Sequence, residues 1–170
     1  MKQFIVSCAL ALLTVPVFMS CSSDDDAATG RGVKGSYIYF EPCLQWESNV
    51  AGARTYMKSL KGWSEEEYDD EKGILSYVHK ASQATITYGF KDGLCESKVM
   101  YCGCSEDFET MKNDLASKFE LSWNGPYYDG NVEWYSGESP ANSFSIDVGK
   151  YVTDFGGYMY ADFSYTPYFY

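Results

Sequence analysis

The chain has 170 residues, a formal net charge of −11, and 16 Tyr, 10 Phe and 4 Trp. Residues 1–20 contain Lys2 and no acid, so the rest of the chain carries 12 basic and 24 acidic residues, a net charge of −12. Nucleic acids and anionic lipid head groups bind basic patches, so this balance argues against both as partners. The aromatic content, most of it in alternating segments, predicts a sheet with one packed face and one aromatic outer face.

Residues 1–20 have the three parts of an export signal, namely Lys2, an apolar run from Phe4 to Phe18, and the small residue Ser20 before Cys21. A membrane-spanning helix needs ~20 apolar residues, so this shorter run, with acids behind it, does not predict one. A Cys that follows a small residue at the end of such a run resembles the lipobox of bacterial lipoproteins. The resemblance implies cleavage before Cys21 and attachment of diacylglycerol and a further acyl chain, such as palmitate, to that residue.

The segment directly behind Cys21 resembles the acidic surface-export tag of Bacteroidetes outer-membrane lipoproteins, and consists of Ser22, Ser23, Asp24, Asp25 and Asp26. Two or three acyl chains anchor a protein stably to a membrane. The resemblance implies a lipid-anchored protein of the outer membrane that faces outward, and the sequence leaves a periplasm-facing orientation open. Residues 27–35 are rich in Gly and small residues and predict a flexible tether, so that residues 21–35 join the lipid to one domain at 36–170.

The first half of this domain predicts one helix among strands. A strand is predicted at 36–40 and a helix at 49–60, with Ser48 or Asn49 as its N-cap. The acidic segment 64–72 is predicted to be a loop. Three strands are then expected at 74–80, 84–90 and 94–101, the last two joined by a hairpin turn at Lys91-Asp92-Gly93.

The second half predicts the same order of elements. A helix is expected at 107–119, with Ser105 as its cap and acids in its first turn. The strands that follow are predicted near 131–135, 143–148, 151–155 and 158–165.

The two halves, residues 48–101 and 105–170, therefore predict a tandem α-β-β-β repeat. The expected fold class is α+β, with one antiparallel sheet and both helices packed on one face. This arrangement resembles the β-lactamase-inhibitor-protein-like fold, and also the small outer-membrane lipoproteins of the SmpA/OmlA type. The first resemblance implies that an open sheet face is presented to a partner protein.

No residue pattern predicts catalysis, a cofactor or a metal site. His79 is the single histidine, and no acid or nucleophile lies at a suggestive spacing from it. The sequence has no Gly-rich phosphate loop and no His-Glu-x-x-His motif. We therefore expect a non-catalytic protein.

Four cysteines remain in the domain, and an exported location permits disulfides. Cys95 and Cys102 lie seven residues apart in one predicted strand, ~23 Å at ~3.3 Å per residue, which is too far for a bridge. Cys102 and Cys104 would close a strained ring. The sequence therefore predicts a disulfide of Cys43 with Cys102 or Cys104.

Strand alternation divides the side chains between two faces. The residues predicted to face the helices are Ile86, Tyr88, Phe90, Phe144, Ile146, Val148, Met159, Ala161 and Phe163. Tyr135, Tyr158 and Tyr160 are expected on the opposite, open face, among Thr, Ser and Asp147. This face is the candidate binding surface for a partner protein. The alternative hypothesis is a glycan-binding accessory protein of a surface uptake system, with Trp134, Tyr135 or Trp63 as stacking platform.

Overall fold

The computed structural model describes residues 37–102, 105–153 and 156–167. The export signal, Cys21, the acidic tag, the tether and Cys104 lie outside the described residues. Short 3₁₀ turns stand at Ser105–Asp107 and Pro140–Asn142. The helices and strands are α1 (Val50–Ser59), β1 (Trp63–Asp69), β2 (Ile74–His79), β3 (Thr85–Phe90), β4 (Leu94–Cys102), α2 (Phe108–Phe119), β5 (Asn124–Asp129), β6 (Val132–Ser139), β7 (Phe144–Thr153) and β8 (Gly156–Tyr165).

All eight strands form one open antiparallel sheet in the order β1-β2-β3-β4-β8-β7-β6-β5. The predicted α+β class with a single antiparallel sheet is therefore confirmed. Strands β4 and β8 lie side by side in the middle, and β1 and β5 form the two edges. Four strands follow each helix, whereas the sequence predicted three after α1.

The first missed strand, β1, falls in the acidic segment that was predicted to be a loop. Its three consecutive acids, Glu65, Glu66 and Glu67, are exposed, and the strand pairs only with β2. An edge strand tolerates charge because one side meets water, and charged edges prevent pairing with other chains. The run of acids therefore marks a protected edge.

The second missed strand, β5, is the opposite edge of the sheet. All six of its residues are exposed, and it contains Gly125 and Pro126. Proline is tolerated on edge strands because one side of the strand needs no ladder hydrogen bond. Near this edge the predicted strands at 143–148 and 151–155 prove to be one continuous strand, β7.

Residues 37–40 do not form the predicted strand. Two of their backbone N–H groups donate to side chains instead of to a neighbouring strand. Tyr37 N donates to Asp107 Oδ2 (3.0 Å), and Phe40 N donates to Tyr101 Oη (3.2 Å). Asp107, not the predicted Ser105, is the N-cap residue of α2, and its side chain serves Tyr37 instead of the helix. The segment has the residue alternation of a strand, but it forms none, and its aromatic side chains pack against the core.

The N-terminus of α1 matches one of the two predicted caps. Asn49 is the N-cap residue, and its Oδ1 accepts a hydrogen bond from Gly52 N at 2.9 Å. Such a cap satisfies one of the free N–H groups of the first turn.

Both helices cover the same face of the sheet. In α1, Met57 Sδ accepts a hydrogen bond from Tyr88 Oη of β3 (3.0 Å), while in α2 the Phe119 ring lies 5.9 Å from that of Phe163 in β8. Each fully buried large apolar side chain contributes about 1.5–3 kcal/mol to stability. The buried sheet residues on this face include Leu75, Ile86, Tyr88, Val99, Phe144, Ile146, Val148, Met159, Ala161 and Phe163. Phe90, also predicted here, is partly buried.

Candidate functional site

The face of the sheet opposite the helices carries a row of aromatic residues that crosses four strands. Cross-strand pairing places Tyr160 of β8 beside Gly149 of β7, Gly149 beside Trp134 of β6, and Trp134 beside Tyr127 of β5. The rings of Trp134 and Tyr127 lie 4.5 Å apart between centroids. We call this set, three aromatic residues and Gly149, the aromatic row.

Gly149 leaves space on β7 for the ring of Tyr160. A Cβ atom at position 149 would lie 2.5 Å from both Cζ and Oη of Tyr160, far inside van der Waals contact. The Tyr160 ring therefore lies across β7 toward Trp134, and only glycine permits this approach. The smallest residue in the row thus determines where the Tyr160 ring lies.

A polar row runs beside the aromatic row. Successive pairings bring together Lys98 of β4, Asp162 of β8, Asp147 of β7 and Ser136 of β6. Lys98 Nζ lies 3.2 Å from Asp162 Oδ2, and Ser136 Oγ donates to Asp147 Oδ1. The ammonium group of Lys98 also lies 4.7 Å from the centroid of the Tyr160 ring, within the range of a cation–π contact.

A shallow, open hollow of about 300 Å³ lies over parts of both rows and over the paired residues Asp129 and Val132 of β5 and β6. Its walls combine three carboxylates, one ammonium group, two aromatic rings and one aliphatic side chain. The lining residues are Lys98, Asp129, Val132, Trp134, Asp147, Tyr160 and Asp162. Such a surface offers hydrogen-bond acceptors, negative charge and flat apolar area, and these features are used at sites that bind ligands or proteins.

The charged carboxylate of Asp162 lies in an unfavourable environment. Its Oδ1 atom is buried and has no hydrogen-bond partner, while Oδ2 is paired with Lys98. Burial raises the pKa of the Asp162 carboxyl, Lys98 opposes this rise, and the negative charge of Asp147 adds to it. A buried polar atom without a hydrogen-bond partner lowers the stability of the folded state, so Oδ1 of Asp162 is destabilising.

The neighbouring groups are affected by the same negative charge. Burial raises the pKa of Tyr160 to about 12, with further contributions from Asp147 and Asp162. Burial and the charge of Asp162 also raise the pKa of Glu96. The lining of the hollow itself has three carboxylates and one ammonium group, so its net charge is negative.

Of the three tyrosines predicted for the open face, two lie there. Tyr160 lines the hollow, and Tyr158 stacks on Tyr151 with centroids 5.3 Å apart. Their role in binding stays a prediction.

The placement of Tyr135 on the open face is wrong. Tyr135 pairs with buried Val148, and its ring packs 6.0 Å from that of Phe108 on the helix side. Its neighbour Trp134 faces the hollow instead. Because alternate residues of a strand point to opposite faces, an error of one residue in the pattern exchanges the two side chains.

Trp63 and His79 lie in an aromatic cluster away from the hollow. The Phe40 ring is 5.0 Å from that of Trp63 and 4.8 Å from that of His79. His79 Nδ1 is 2.9 Å from Ser82 Oγ. Trp63 is thereby occupied in packing, which leaves Trp134 as the tryptophan that lines the hollow.

The predicted disulfide of Cys43 with Cys102 or Cys104 is wrong, because Cys43 is a free, fully buried thiol. Its N–H donates to Tyr88 Oη (3.1 Å), and its carbonyl accepts from Ser97 Oγ (2.8 Å) on the helix side of β4. Cys102 lies five residues beyond Ser97, roughly 16 Å along the strand, and on the opposite face. Bridged Cα atoms must lie within ~7 Å.

Within residues 37–102, 105–153 and 156–167, no three His, Cys, Asp or Glu side chains are grouped to hold a metal ion. No helix in this part of the chain has the length and apolar character of a membrane span. Comparisons with protein families, with curated proteins and with solved structures found no match to the chain. The sheet and its two helices define an α+β protein whose second sheet face is open.

The sequence pointed to Trp134, Asp147 and Tyr160 but missed Lys98, Asp162 and Gly149. Alternation along β8 puts Asp162 on the same face as Tyr158 and Tyr160, and this signal was available. The pairing of β4 with β8 was not, because it joins residues far apart in the sequence, such as Lys98 and Asp162.

Proposed function

We propose that the protein is a non-catalytic, lipid-anchored cell-envelope protein that binds a partner protein through its open sheet face. The observation that carries this proposal is the aromatic row beside the polar row, with the hollow over parts of both. Aromatic residues are enriched at protein interfaces because they combine apolar area with polar tips. In this part of the sheet the helices cover one face and leave these rings on the other.

We also propose that the fold is a tandem repeat. Each helix is followed by four strands, and the two groups of strands meet at β4 and β8 in the centre of the sheet. This order supports a tandem repeat whose unit has four strands, not the three expected from the sequence. Such a repeat would keep the resemblance to the β-lactamase-inhibitor-protein-like fold, where an open sheet face meets a partner protein.

The anchor is proposed from the sequence of residues 1–26. The export signal, Cys21 and the acidic tag support lipid attachment in the outer membrane, with the domain facing outward. Protease treatment of intact cells tests the orientation, comparing the wild type with a variant in which Asp24, Asp25 and Asp26 are all Ala. Digestion of the wild type alone supports display through the tag, and protection of both places the domain in the periplasm.

A glycan is the second candidate partner, favoured by one observation. Trp134 lines the hollow together with the carboxylates of Asp147 and Asp162. An aromatic ring beside carboxylates can stack on a sugar and accept hydrogen bonds from its hydroxyl groups.

Photocrosslinking in the cells that produce the protein tests the proposed binding face. A benzophenone amino acid replaces Tyr151 on the open face or, as the matched control, exposed Lys58 on α1. We expect a protein adduct from position 151 and not from position 58. Mass spectrometry of the adduct distinguishes a protein from a glycan. Equal adducts from both positions, or none from position 151, would contradict binding through the open face.

A further inference from the structure

The hollow carries more negative than positive charge. Asp129, Asp147 and Asp162 contribute three carboxylates, and Lys98 is the single basic residue in its lining. The Lys98 ammonium is already paired with Asp162 Oδ2. Two carboxylates, those of Asp129 and Asp147, are therefore left without a cation among the lining residues.

The arrangement of the acids strengthens this point. Asp147 and Asp162 are directly opposite each other on β7 and β8, a placement that destabilises a sheet. Asp129 and Asp147 are exposed, so a ligand in the hollow can reach their carboxylates. A ligand with several N–H donors and a positive charge would pair with these carboxylates and relieve the repulsion between Asp147 and Asp162.

The aromatic rings fit the same kind of ligand. Lys98 Nζ stands 4.7 Å from the Tyr160 ring centroid, so this ring already has a cation over it. Trp134, the next ring along the row, has no cation–π partner among the described residues. A planar guanidinium can stack on such a ring and donate hydrogen bonds to carboxylates in its own plane.

The size of the hollow limits what it can hold. A volume of about 300 Å³ with an open mouth suits a single side chain that projects from a larger surface. A metal ion fits less well, because the Lys98 ammonium stands 3.2 Å from Asp162, where the ion's carboxylate ligands would be needed.

We propose that the hollow is a receptor for one arginine side chain of the partner protein, held by the carboxylates of Asp129 and Asp147 and stacked on the ring of Trp134. This inference rests on the proposed function, since it names the anchor of the partner that the open face binds. Arginine anchors in desolvated pockets are frequent hot spots of protein interfaces.

A titration of the full-length chain in detergent tests the proposal. The probe is N-acetyl-arginine amide, and its neutral isostere N-acetyl-citrulline amide is the matched control. The readout is the indole N–H resonance of Trp134 among the four tryptophans, assigned with a Trp134→Phe variant. We expect a saturable shift with the arginine compound that salt weakens, and little shift with the citrulline compound.

Two variants test whether arginine binds to the hollow or responds only to the overall negative charge of the protein. Asp147→Asn keeps an acceptor for Ser136 and removes one charge, and should weaken arginine binding about tenfold. Glu66→Gln/Glu67→Gln removes two exposed charges on the distant edge strand β1 and should leave binding unchanged. Unchanged binding in Asp147→Asn would overturn the proposal.

The remaining outcomes are also decisive. Equal shifts with the citrulline compound, or no shift with either, would overturn the arginine receptor. A shift with maltose but not with the arginine compound would overturn it in favour of a glycan. Photocrosslinking from position 151 does not depend on the hollow, so adducts there without arginine binding would refute only this inference. Arginine binding without adducts would refute the proposed function.

Discussion

Asp147 and Asp162 stand directly opposite each other on the central part of the open face, one on β7 and one on β8. Lys98 neutralises Asp162 from the other side, and Ser136 donates to Asp147. Two like charges in this position destabilise a sheet, so packing of the helix-covered face must compensate for them. Such a conflict between stability and surface chemistry is typical of a binding site.

Replacing Asp147 with Asn should stabilise the protein at neutral pH. The substitution removes the repulsion and keeps the acceptor for Ser136, so the free energy of unfolding should rise by about 0.2–1 kcal/mol. Denaturant unfolding at pH 7 measures this change. A lower stability of Asp147→Asn would show that the two carboxylates do not repel each other in the folded state.

The same variant should change the pH dependence of stability. The pKa of Asp162 is raised in the folded state, so its stabilising contribution is present below the unfolded pKa and is lost as the pH rises through the folded pKa. Burial is the main cause of this raised pKa and the charge of Asp147 adds to it, so the pKa of Asp162 should fall in the variant while burial still keeps it above its ordinary value. Stability should then decline less above about pH 4. Carboxyl resonances followed by NMR report the pKa directly, and an unchanged pKa in Asp147→Asn would contradict the coupling.

Gly149→Ala should displace the Tyr160 ring. The new Cβ would meet Cζ and Oη of Tyr160 at 2.5 Å, and such overpacking costs about 1–3 kcal/mol. Once moved toward solvent, Tyr160 should titrate below its present pKa of about 12. The double variant Gly149→Ala/Tyr160→Ala is the control, because Gly149→Ala should cost much less when the ring is absent. Equal costs in both backgrounds would mean that the ring does not lie over Gly149.

Tyr88→Phe should weaken the core beneath α1. The hydroxyl accepts the Cys43 N–H at 3.1 Å, and its removal leaves a buried donor without a partner. We expect a loss of about 1–3 kcal/mol in the free energy of unfolding. Tyr128→Phe is the matched control, since Tyr128 is 70% exposed. A similar effect of both substitutions would contradict the role of the Tyr88 hydroxyl.

Cys43 should resist alkylation in the folded protein. It is fully buried, and burial raises the pKa of its thiol, so little reactive thiolate forms. Iodoacetamide at pH 8 followed by peptide mass spectrometry should detect modified Cys43 only after unfolding in urea. Rapid native labelling, or a peptide in which Cys43 is bridged to Cys102 or Cys104, would refute the free buried thiol.

The sequence predicts the interior of the sheet well and its edges poorly. Strands β2 and β3 alternate over most of their length, β4 alternates from Ser97 onward, and α1 has a capping Asn49, so local patterns are sufficient for them. The edge strands β1 and β5 are acidic or contain proline, because one side of each meets water. Local preference there resembles that of a loop, and only pairing in the folded chain makes them strands.

The hollow was predictable only in part. Alternation identifies Tyr158, Tyr160 and Asp162 as one face of β8, but pairing over long sequence distances brings Lys98, Asp147 and Trp134 beside them. Tyr135 was misplaced by a single position in β6, where two large aromatic residues are adjacent and either suits a packed face. Short patterns thus predict the helices and the inner strands, whereas the edge strands and the site depend on how the strands pair.

Occupancy of the open face in living cells is the most direct test of the account. The measurement compares acylation of Lys98 in the hollow with that of exposed Lys58 on α1, on intact cells and in the purified protein. A bound partner should shield Lys98, so the ratio of Lys98 to Lys58 modification should fall several-fold on cells. The same ratio in both samples would mean that nothing covers the face, and would contradict the binding function.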